Sequence, residues 1–350
     1  MTTFKKTDLL GVLDIVSPAL ASSEMVPQLN CFWFTSKYVM AYNDLIAIRV
    51  PCKTDFSGAV HGKALLGAVR PFDAKEVELT AADDVLTIKM GAYKTQLDLR
   101  PPEDFVFKMP DLPANTPAIK NPKAFFDGLA NCIRSIGSNS YDSDQLGITV
   151  IPNGKGVELF ATNGVTLSKA VVKSSVDCPR RIILPEAFCR EALKYKDADQ
   201  VLFAVGEDYA LMWVGSRTLI FGKLLKTDKP YDFPGVIAHH LPKKALDKSA
   251  DIPKKLRGLL ESMTAYIQKE PVQLSVAQGK LRVACGSNIG KGALGMSFSQ
   301  EQDGVSCTFD PAMLLAGVDS FKQLLLTDGC CVMSNPDGSM YLVARKRPSA

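Results

Sequence analysis

Four groups of residues have types and spacing that could bind a ligand or carry out chemistry. The segment 286–292, "GSNIGKG", is rich in glycine and contains a lysine, as phosphate-binding loops do. Asp142 and Asp144 could coordinate a hard cation, and the adjacent His239 and His240 could ligate a transition metal. Nine cysteines could supply thiolates for catalysis, metal binding or disulfides. Each group has to meet the spacing that its chemistry requires.

The glycine-rich segment does not have the spacing of a phosphate-binding loop. Three residues separate Gly286 from Gly290, where that loop has four. Gly292 occupies the position at which a Ser or Thr would hold magnesium. The segment is therefore predicted to be a turn between strands.

The metal-ligand candidates also lack partners. No third carboxylate lies near Asp142 and Asp144, so this segment is predicted to be a solvated loop. The only histidine besides the adjacent pair is His61, and neighbours in sequence rarely converge on one metal. The pair lies between prolines and is interpreted as part of a linker.

The cysteines and the remaining motifs point away from an enzyme. No two cysteines are spaced as C-x-x-C, and most lie in apolar segments, which predicts reduced, buried thiols. The chain has no G-x-S-x-G, no H-E-x-x-H and no dinucleotide-binding fingerprint. We therefore expect a protein that is not an enzyme, with no catalytic residues, no metal and no cofactor.

No apolar run approaches the ~18 residues of a membrane span. The first residues, "MTTFKKTDLL", lack the apolar core of a signal peptide. The expectation is a soluble protein of the cytoplasm, meaning the bacterial cytoplasm or nucleoid or a phage-infected cell, with no membrane partner.

A repeated strand and turn provides the main organisational signal. Residues 157–172 read "VELFATNGVTLSKAVV", an apolar strand that runs into an Asn-Gly turn and continues as a second strand. Similar stretches occur at 38–50, "YVMAYNDLIAIRV", and at 281–288, "LRVACGSN". Ala41, Ala161 and Ala284 are interpreted as equivalent positions, about 120 residues apart, and this period indicates duplication of whole domains.

Each repeat also contains two predicted helices, of which the second leads into a pair of strands. The helices are predicted at 4–16, 62–72, 121–136, 186–196, 254–267 and 310–322. The expected fold class is α+β, with three tandem copies of a domain that combines helices with an antiparallel sheet. Proline-rich junctions place the three domains at 1–117, 118–241 and 242–350.

Three further segments, together with "LFATNGVTLSKAVV", carry a resemblance to a known family. They are "IILPEAFCREALK", "KPYDFPGVIAHHLP" at 229–242, and the ending "LLLTDGCCV" followed by "YLVARKR". In this order and spacing the whole chain resembles the bacterial-type DNA polymerase sliding clamp, the beta subunit of the replicative polymerase. Val165 and Thr166 replace the family's His-Arg, and a basic tail replaces its apolar ending. These departures are typical of a divergent member of the family, for instance one encoded by a phage.

The resemblance implies the DNA clamp fold, closed as a six-domain ring by a head-to-tail homodimer. The ring is expected to encircle duplex DNA without reading its sequence, and to act as a processivity factor for the replicative DNA polymerase. A clamp loader is a further expected partner. The predicted DNA-facing residues are Lys5, Lys6, Lys63, Arg70, Lys123, Arg134, Arg190, Lys194, Lys254, Lys255 and Arg257.

The resemblance further implies a hydrophobic groove for partner peptides and a dimer seam. The groove residues are Leu146, Thr162, Gly164, Val165, Thr166, Leu167, Pro242, Val332, Leu342, Val343 and Ala344. The seam residues are Leu97, Leu99, Phe105, Phe107, Met263, Tyr266 and Ile267. Leu146, Leu167 and Leu342 would also suit an ordinary core. Arg345, Lys346 and Arg347 are expected to favour peptides with acidic residues.

Two other functions stay open on the sequence. A multi-domain DNA-binding or scaffold protein of the replication machinery could share these domains without closing a ring. A polymerase- or nuclease-associated enzyme would require clustered carboxylates, which the sequence does not show. The oligomeric state distinguishes the first alternative from the clamp.

Overall fold

A computed structural model describes most of the chain, and the structural statements below concern the described residues. These are residues 1–22, 26–105, 107–138, 142–154, 156–215, 217–241, 244–266, 270–286, 291–300 and 304–346. The chain divides into two compact units. Unit 1 comprises Met1–Lys123, Ser175–Pro179 and Ala187–Leu224, and unit 2 comprises Ala124–Ser174, Arg180–Glu186 and Leu225–Ala350.

The described residues form short helices and many short strands. The helices are α1 (Lys6–Val16), α2 (Gly62–Val69), α3 (Pro122–Ile133), α4 (Glu186–Leu193), α5 (Phe233–His240), α6 (Leu256–Tyr266) and α7 (Pro311–Val318). The strands are β1 (Thr2–Lys5), β2 (Cys31–Phe34), β3 (Tyr38–Tyr42), β4 (Ile46–Pro51), β5 (Gly58–His61), β6 (Glu76–Ala82), β7 (Val85–Met90), β8 (Tyr93–Asp98), β9 (Gly147–Asn153), β10 (Gly156–Thr162), β11 (Thr166–Val172), β12 (Ile182–Pro185), β13 (Val201–Val205), β14 (Tyr209–Val214), β15 (Thr218–Lys223), β16 (Ala250–Asp251), β17 (Val272–Ala277), β18 (Lys280–Gly286), β19 (Lys291–Ser297), β20 (Val305–Phe309), β21 (Gln323–Leu326), β22 (Cys330–Ser334) and β23 (Met340–Ala344).

Each unit contains two antiparallel sheets. Unit 1 has a four-stranded sheet in the order β1-β6-β7-β8 and a seven-stranded sheet in the order β13-β14-β15-β4-β3-β2-β5. Unit 2 has an eight-stranded sheet, β12-β9-β10-β11-β23-β22-β21-β16, and a four-stranded sheet, β19-β18-β17-β20. Combined with the helices, these sheets confirm the predicted α+β fold class.

Both large sheets are assembled from three-stranded meanders in the same way. In unit 1 the last strand of one meander, β4, pairs with the last strand of another, β15, and Ile48 lies opposite Ile220. In unit 2 the strands β11 and β23 pair equivalently, and Leu167 lies opposite Leu342. The two four-stranded sheets contain the remaining meanders, β6-β7-β8 and β17-β18-β19, whose last strands are at sheet edges.

Most helices pack on one face of these sheets, and α5 lies on the opposite face of the eight-stranded sheet. In unit 2, α3 buries Phe125, Phe126 and Leu129. A Cβ atom added at Gly128 would lie 2.8 Å from Leu159 Cδ1, so this glycine allows α3 to approach β10 closely. Burial of the apolar side chains between helix and sheet is the main stabilising contribution, at roughly 25 cal/mol per Å².

The first strand of each large-sheet junction begins after the same kind of turn. Asn43 Oδ1 accepts hydrogen bonds from the backbone N–H groups of Leu45 and Ile46. Asn163 Oδ1 accepts from Val165 and Thr166 in the same way. An asparagine that bonds its own downstream backbone fixes a tight turn, which agrees with the predicted turns.

The structure corrects four kinds of local prediction. The first helix begins at Lys6 because Thr2–Lys5 pair with β6 as a strand. Four predicted helices end three or four residues early, at Val69, Ile133, Leu193 and Val318. The equivalence of Ala284 with Ala41 and Ala161 is also corrected, because those two alanines are fully buried and in the third repeat the fully buried residue is Val283. Ala284 is half-buried because strand residues alternate between faces.

The fourth correction concerns the predicted linker, because Phe233–His240 form helix α5. The Asp232 carboxylate caps its first turn by accepting from Gly235 N at 3.0 Å, and Pro234 suits the start of a helix.

One buried side chain acts on a strand edge. Gln300 Oε1 accepts from Leu326 N at 2.8 Å, and Gln300 Nε2 donates to Leu326 O at 3.0 Å. The amide thus makes both hydrogen bonds that a neighbouring strand would make to this residue of β21.

Within the described part of the chain, no helix is both long and apolar enough to cross a membrane.

Candidate partner-binding site and DNA-facing surface

One face of the eight-stranded sheet in unit 2 carries an apolar cluster, called the groove cluster below. Its buried members are Phe160, Leu167, Phe233, Leu241, Leu325, Cys330, Val332, Met340 and Leu342. Half-buried apolar side chains around it come from β9, the segment before α5, α5 itself and the turn after it; they are Ile151, Tyr231, Val236, Ile237, Ala245 and Leu246.

Strand register explains why these residues share a face. Leu167 lies opposite Leu342, Leu342 opposite Val332, and Val332 opposite Leu325. Residues directly opposite one another in antiparallel strands project to the same side of the sheet. A continuous apolar row therefore crosses four strands.

Helix α5 and its preceding residues cover part of this row. The Phe233 ring stacks on Phe160, with centroids 5.0 Å apart, and Val236 and Ile237 follow at helical spacing. Both of these side chains are half-buried. An apolar segment of another molecule could extend the cover along the same face.

The turn from Thr162 to Thr166 forms a rim next to the cluster. Thr162 Oγ1 donates to Thr166 O at 2.8 Å and accepts from Gly164 N at 3.1 Å. Gly164 has a positive φ of 83°, which favours glycine. The Val165 side chain is 44% exposed, and its carbonyl oxygen accepts from Ala344 N, so an apolar group is held at the surface.

Not every predicted groove residue lies on this face. Thr166 and Val343 lie opposite each other and project to the other side, because they alternate with Leu167 and Leu342. The Thr166 hydroxyl donates to Ser135 Oγ at 3.1 Å, below α3, and Val343 belongs to the core beneath α6 and α7.

Three further predicted groove residues are placed differently from the core row. Leu146 is half-buried outside the groove cluster, and Ala344 is half-buried at the end of β23. Pro242 lies outside the described residues.

The sequence interpretation missed several members of the cluster. Phe160 and Met340 were signalled by alternation, since each lies two residues from a predicted groove residue on the same strand. Phe233, Val236 and Ile237 were signalled by an Asp-Phe-Pro helix start followed by apolar residues at helical spacing.

The sequence predicted that Asp144 lies in a solvated loop, but the structure buries this residue. Its side chain is 0% exposed and forms an ion pair with Arg181, 2.6 Å from Nη2 to Oδ1. Thr149 Oγ1 also donates to Oδ1, at 2.9 Å, so the buried carboxylate is both paired and hydrogen-bonded.

The predicted DNA-facing cations lie on or beside five helices. Exposed members are Lys5, Lys63, Arg70, Lys123, Arg190, Lys194, Lys254, Lys255 and Arg257. Arg70 pairs with Asp14 at 2.6 Å, Lys194 with Glu191 at 2.5 Å, and Arg257 with Asp319 at 2.9 Å. The Arg70 and Arg257 pairs are exposed on both sides and contribute only ~0–1 kcal/mol each, so these two cations can still attract phosphates. Glu191, the partner of Lys194, is buried.

Two of the predicted cations serve the protein itself. Arg134 donates to Ala316 O, to Asn131 Oδ1 and to Ser320 Oγ, and lies over the Tyr341 ring. Burial lowers the pKa of its guanidinium. These contacts engage the guanidinium and support a structural role for Arg134 over the predicted DNA-facing one.

The second is Lys6, whose ammonium donates to the carbonyl oxygens of Arg70 and Phe72 after α2. A cation at this place satisfies carbonyls that a helix leaves free at its end. Lys6 is half-buried, so its charge is committed in part to unit 1.

The predicted seam residues are dispersed. Leu97 is half-buried on the edge strand β8. Phe105 stacks on Trp33 at 4.0 Å and Phe107 on Tyr42 at 3.8 Å, so both pack onto the large sheet of unit 1 instead of beside Leu97. Leu99 is buried after β8.

The remaining predicted seam residues belong to the helix predicted at 254–267. Met263 is a core residue beneath α6, where it is buried with Leu256 and Leu260. Tyr266 ends α6, and Ile267 lies outside the described residues. A helix turns its apolar stripe towards its own sheet, which is why Met263 is inward.

The start of the basic tail is held by backbone contacts. Arg345 N donates to Gly329 O, and its guanidinium Nη1 donates to Asp328 O at 3.1 Å. Lys346 N donates to Thr308 O. Arg347 lies outside the described residues.

No group of three or more His, Cys, Asp or Glu side chains in the described residues could hold a metal ion. All nine cysteines are free thiols, and eight of them are buried. Burial raises the pKa of Cys132 to about 12, which suppresses its thiolate at neutral pH.

Comparison with known proteins identifies the fold. The chain aligns with the DNA polymerase sliding clamp of Bacillus subtilis at a TM-score of 0.83, with 15% identity and 99% of each chain covered. It aligns with the beta subunit from DNA polymerase of Streptococcus pyogenes at a TM-score of 0.82, with 14% identity and 99% of each chain covered.

A third similar structure is the DnaN sliding clamp of Pseudomonas aeruginosa bound to griselimycin. Its TM-score is 0.82 at 16% identity, with 99% of this chain and 98% of that chain covered. No family model and no curated protein sequence matches the chain. The protein therefore has the sliding-clamp fold at a sequence distance that leaves its function to be inferred.

Proposed function

We propose that this protein is a DNA sliding clamp, in which two copies close head to tail around duplex DNA. The observation that carries the proposal is that two meanders, one in each unit, have a last strand at a sheet edge: β8 in unit 1 and β19 in unit 2. In the two large sheets the last strands of the meanders pair with each other, whereas β8 and β19 end their sheets among the described residues. Unpaired edges invite a strand from another chain.

The side chains on these edges support this pairing. Leu294 on β19 lies opposite the fully buried Val283, so it is on the core side of its sheet, yet it is 42% exposed. Leu97 on β8 lies opposite the fully buried Leu86 and is only half-buried. An apolar core-side residue is exposed at an edge when the next strand is missing. A second copy would supply that strand to each sheet.

The observed junctions also suggest the register. Ile48 lies opposite Ile220, and Ser168 lies opposite Tyr341. Within their own hairpins, Ile48 and Ser168 pair with fully buried alanines, just as Leu294 pairs with Val283.

The residues opposite Ile48 and Ser168 at the junctions are Ile220 and Tyr341, which pair within their own hairpins with fully buried methionines. Thr95 of β8 pairs in the same way with the fully buried Ile88. From this equivalence we propose that Leu294 lies opposite Thr95 of the second copy, with Leu97 diagonally beside it. An engineered Thr95→Cys, Leu294→Cys pair should then form a disulfide between copies.

A closed dimer with two identical seams would contain six domains, for which we retain the division 1–117, 118–241 and 242–350. Exposed cations beside the helices, such as Lys63 and Lys254, would contact phosphates without reading bases. Several of these cations pair with carboxylates, which keeps the attraction weak enough for sliding. The net charge of +4 is consistent with this moderate attraction.

The groove cluster is proposed to bind short apolar peptides of the replicative DNA polymerase and the clamp loader. Its support is the apolar row itself, bordered by the exposed Val165 and by the half-buried Val236 and Ile237. The clamp of Pseudomonas aeruginosa is described as bound to griselimycin, which makes that compound a probe for this chain. The protein would act as a processivity factor in the cytoplasm or nucleoid, without catalysing a reaction of its own.

Retention on circular DNA tests the proposal. The protein is loaded on a nicked circular plasmid, the plasmid is separated by gel filtration, and a restriction enzyme then linearises half of the sample. A sliding ring stays on the circle and leaves the linear molecule through its ends.

The disulfide-closed Thr95→Cys, Leu294→Cys protein, oxidised after loading, should stay on the circle even in high salt. Equal retention on circular and linear DNA would instead support the scaffold protein that does not close a ring.

A further inference from the structure

A buried ion pair in unit 2 holds the segment that covers the groove cluster. Asp144 precedes β9 and Arg181 precedes β12, and their side chains meet at 2.6 Å although 37 residues separate them in the chain. The Asp144 carboxylate is fully buried, whereas the Arg181 side chain is 28% exposed. A pair of this kind leaves hydrogen-bonding groups available for a third element.

That third element is the backbone of Tyr231. Tyr231 N donates to Asp144 Oδ2 at 3.1 Å, and Arg181 Nη1 donates to Tyr231 O at 3.1 Å. One residue of the covering segment is therefore held through both its N–H and its C=O groups. Because the bonds are made to the backbone, they fix the path of the chain whatever the side chain at this position.

Tyr231 is placed directly before the elements that form the cover. Its ring packs against Phe233 at 4.8 Å, and Arg181 lies over the Phe233 ring at 5.8 Å. Asp232 then caps α5, the helix that presents Val236 and Ile237 to the groove cluster. The ion pair thus determines where α5 begins above the sheet.

An ion pair is a poor choice for stability alone. Removing two charges from water is unfavourable, and apolar residues of similar volume often stabilise a core as well. Charged hydrogen bonds are directional, however, and hold their partners within narrow limits of distance and angle. The pair is better suited to fixing a position than to adding stability.

We propose that Asp144 and Arg181 are positioning residues for partner binding: through the backbone of Tyr231 they fix α5 at the separation from the β11–β23 row that an apolar peptide anchor requires. The inference rests on the proposed peptide site. Neither residue needs to touch the peptide, since their effect is transmitted by the placement of Val236 and Ile237.

The mildest test is Arg181→Lys. A lysine keeps the positive charge near Asp144 but cannot bond Asp144 and Tyr231 O with the fork of a guanidinium. Asp144→Asn is the second variant, because its amide removes the charge and cannot accept from Tyr231 N and Arg181 at once. The control is Arg134→Lys, which alters another half-buried guanidinium of unit 2 on the other side of the sheet.

Two measurements separate positioning from general stability. The first is fluorescence anisotropy with a labelled short peptide that has leucine and phenylalanine anchors, with griselimycin as competitor. The second is hydrogen exchange at Val236 and Leu241, whose amides bond within α5. We expect Arg181→Lys to weaken peptide binding at least 10-fold and to speed exchange at both amides, whereas Arg134→Lys lowers the melting temperature without either effect.

The inference is overturned if Arg181→Lys and Asp144→Asn bind the peptide like the wild type, or if Arg134→Lys weakens binding equally at the same loss of melting temperature. Failure of the proposed peptide site would look different. In that case neither the peptide nor griselimycin would bind the wild-type protein, or a Val165→Asp change at the rim would leave binding unaltered.

Discussion

Leu294 is the position at which ring closure can be perturbed with a predictable magnitude. Full burial of a leucine side chain is worth about 1.5–3 kcal/mol. Since 42% of Leu294 is exposed in the single chain, covering this exposed part contributes about 0.6–1.3 kcal/mol at each seam. A head-to-tail dimer has two identical seams, so the dimer loses about 1.2–2.6 kcal/mol when Leu294 is truncated.

The change to make is Leu294→Ala, and the expected result is a rise in the dimer dissociation constant of roughly 7- to 70-fold. Leu294→Glu should have a larger effect, because it would place a charge against the core side of the seam. Sedimentation velocity over a dilution series measures the constant directly.

Leu45→Ala is the matched control, because Leu45 is 44% exposed in a turn of the seven-stranded sheet, which contains neither β8 nor β19. It should leave the dissociation constant unchanged. If Leu294→Ala and Leu294→Glu dimerise like the wild type, β19 does not form the seam and the reasoning from open edges is refuted.

Three further predictions concern other parts of the molecule. Val165→Asp should weaken binding of the apolar peptide at least 10-fold with an unchanged melting temperature, because Val165 is exposed at the rim. Its control in the same anisotropy assay is Leu45→Asp, in the equivalent turn of unit 1. Equal effects of the two changes would remove Val165 from the site. Arg134→Met should lower the free energy of unfolding by about 1–3 kcal/mol in a urea titration, because it leaves the carbonyl oxygen of Ala316 without its donor. DNA retention should stay at the wild-type level. A free energy of unfolding equal to that of the wild type would contradict the structural role given to Arg134. Burial, followed by the neighbouring His239, lowers the pKa of His240, so the unfolded chain takes up this proton at a higher pH than the folded one. The contribution of His240 to stability is complete above the ordinary histidine pKa of about 6.5 and declines as the pH falls below it, and thermal melts from pH 7.5 to 5 should show a shallower decline for His240→Asn than for the wild type.

Local patterns predicted the fold well because the turns and amphipathic helices are short-range features. The Asn43 and Asn163 turns follow from side chains that bond their own backbone, and α3 follows from helical spacing of apolar residues. Helix α5 was missed because prolines and adjacent histidines suggested a linker, although Asp232 and Pro234 together mark a helix start.

The candidate site was less predictable because it depends on pairing between distant strands. A motif taken as a continuous stretch includes Thr166 together with Leu167, but a strand sends these side chains to opposite faces. Nothing in the local sequence connects Asp144 with Arg181, since their approach depends on the path of β9 and β12. The open edges of β8 and β19 were also not visible in the sequence, because an edge is a property of the whole sheet.

The buried Gln300 amide has a consequence for aggregation. A protein that assembles through exposed strand edges risks uncontrolled growth, since any foreign strand could add to any edge. The short strand β16 pairs with Gln323 and Leu324 on the outer side of β21, and at Leu326 the hydrogen-bonding positions on the same side are occupied by one side-chain amide. A foreign strand would have to displace a group that is itself buried. Gln300 is therefore expected to oppose fibre-like growth at this end of β21, whereas the proposed ring would pair β8 and β19 with a second copy.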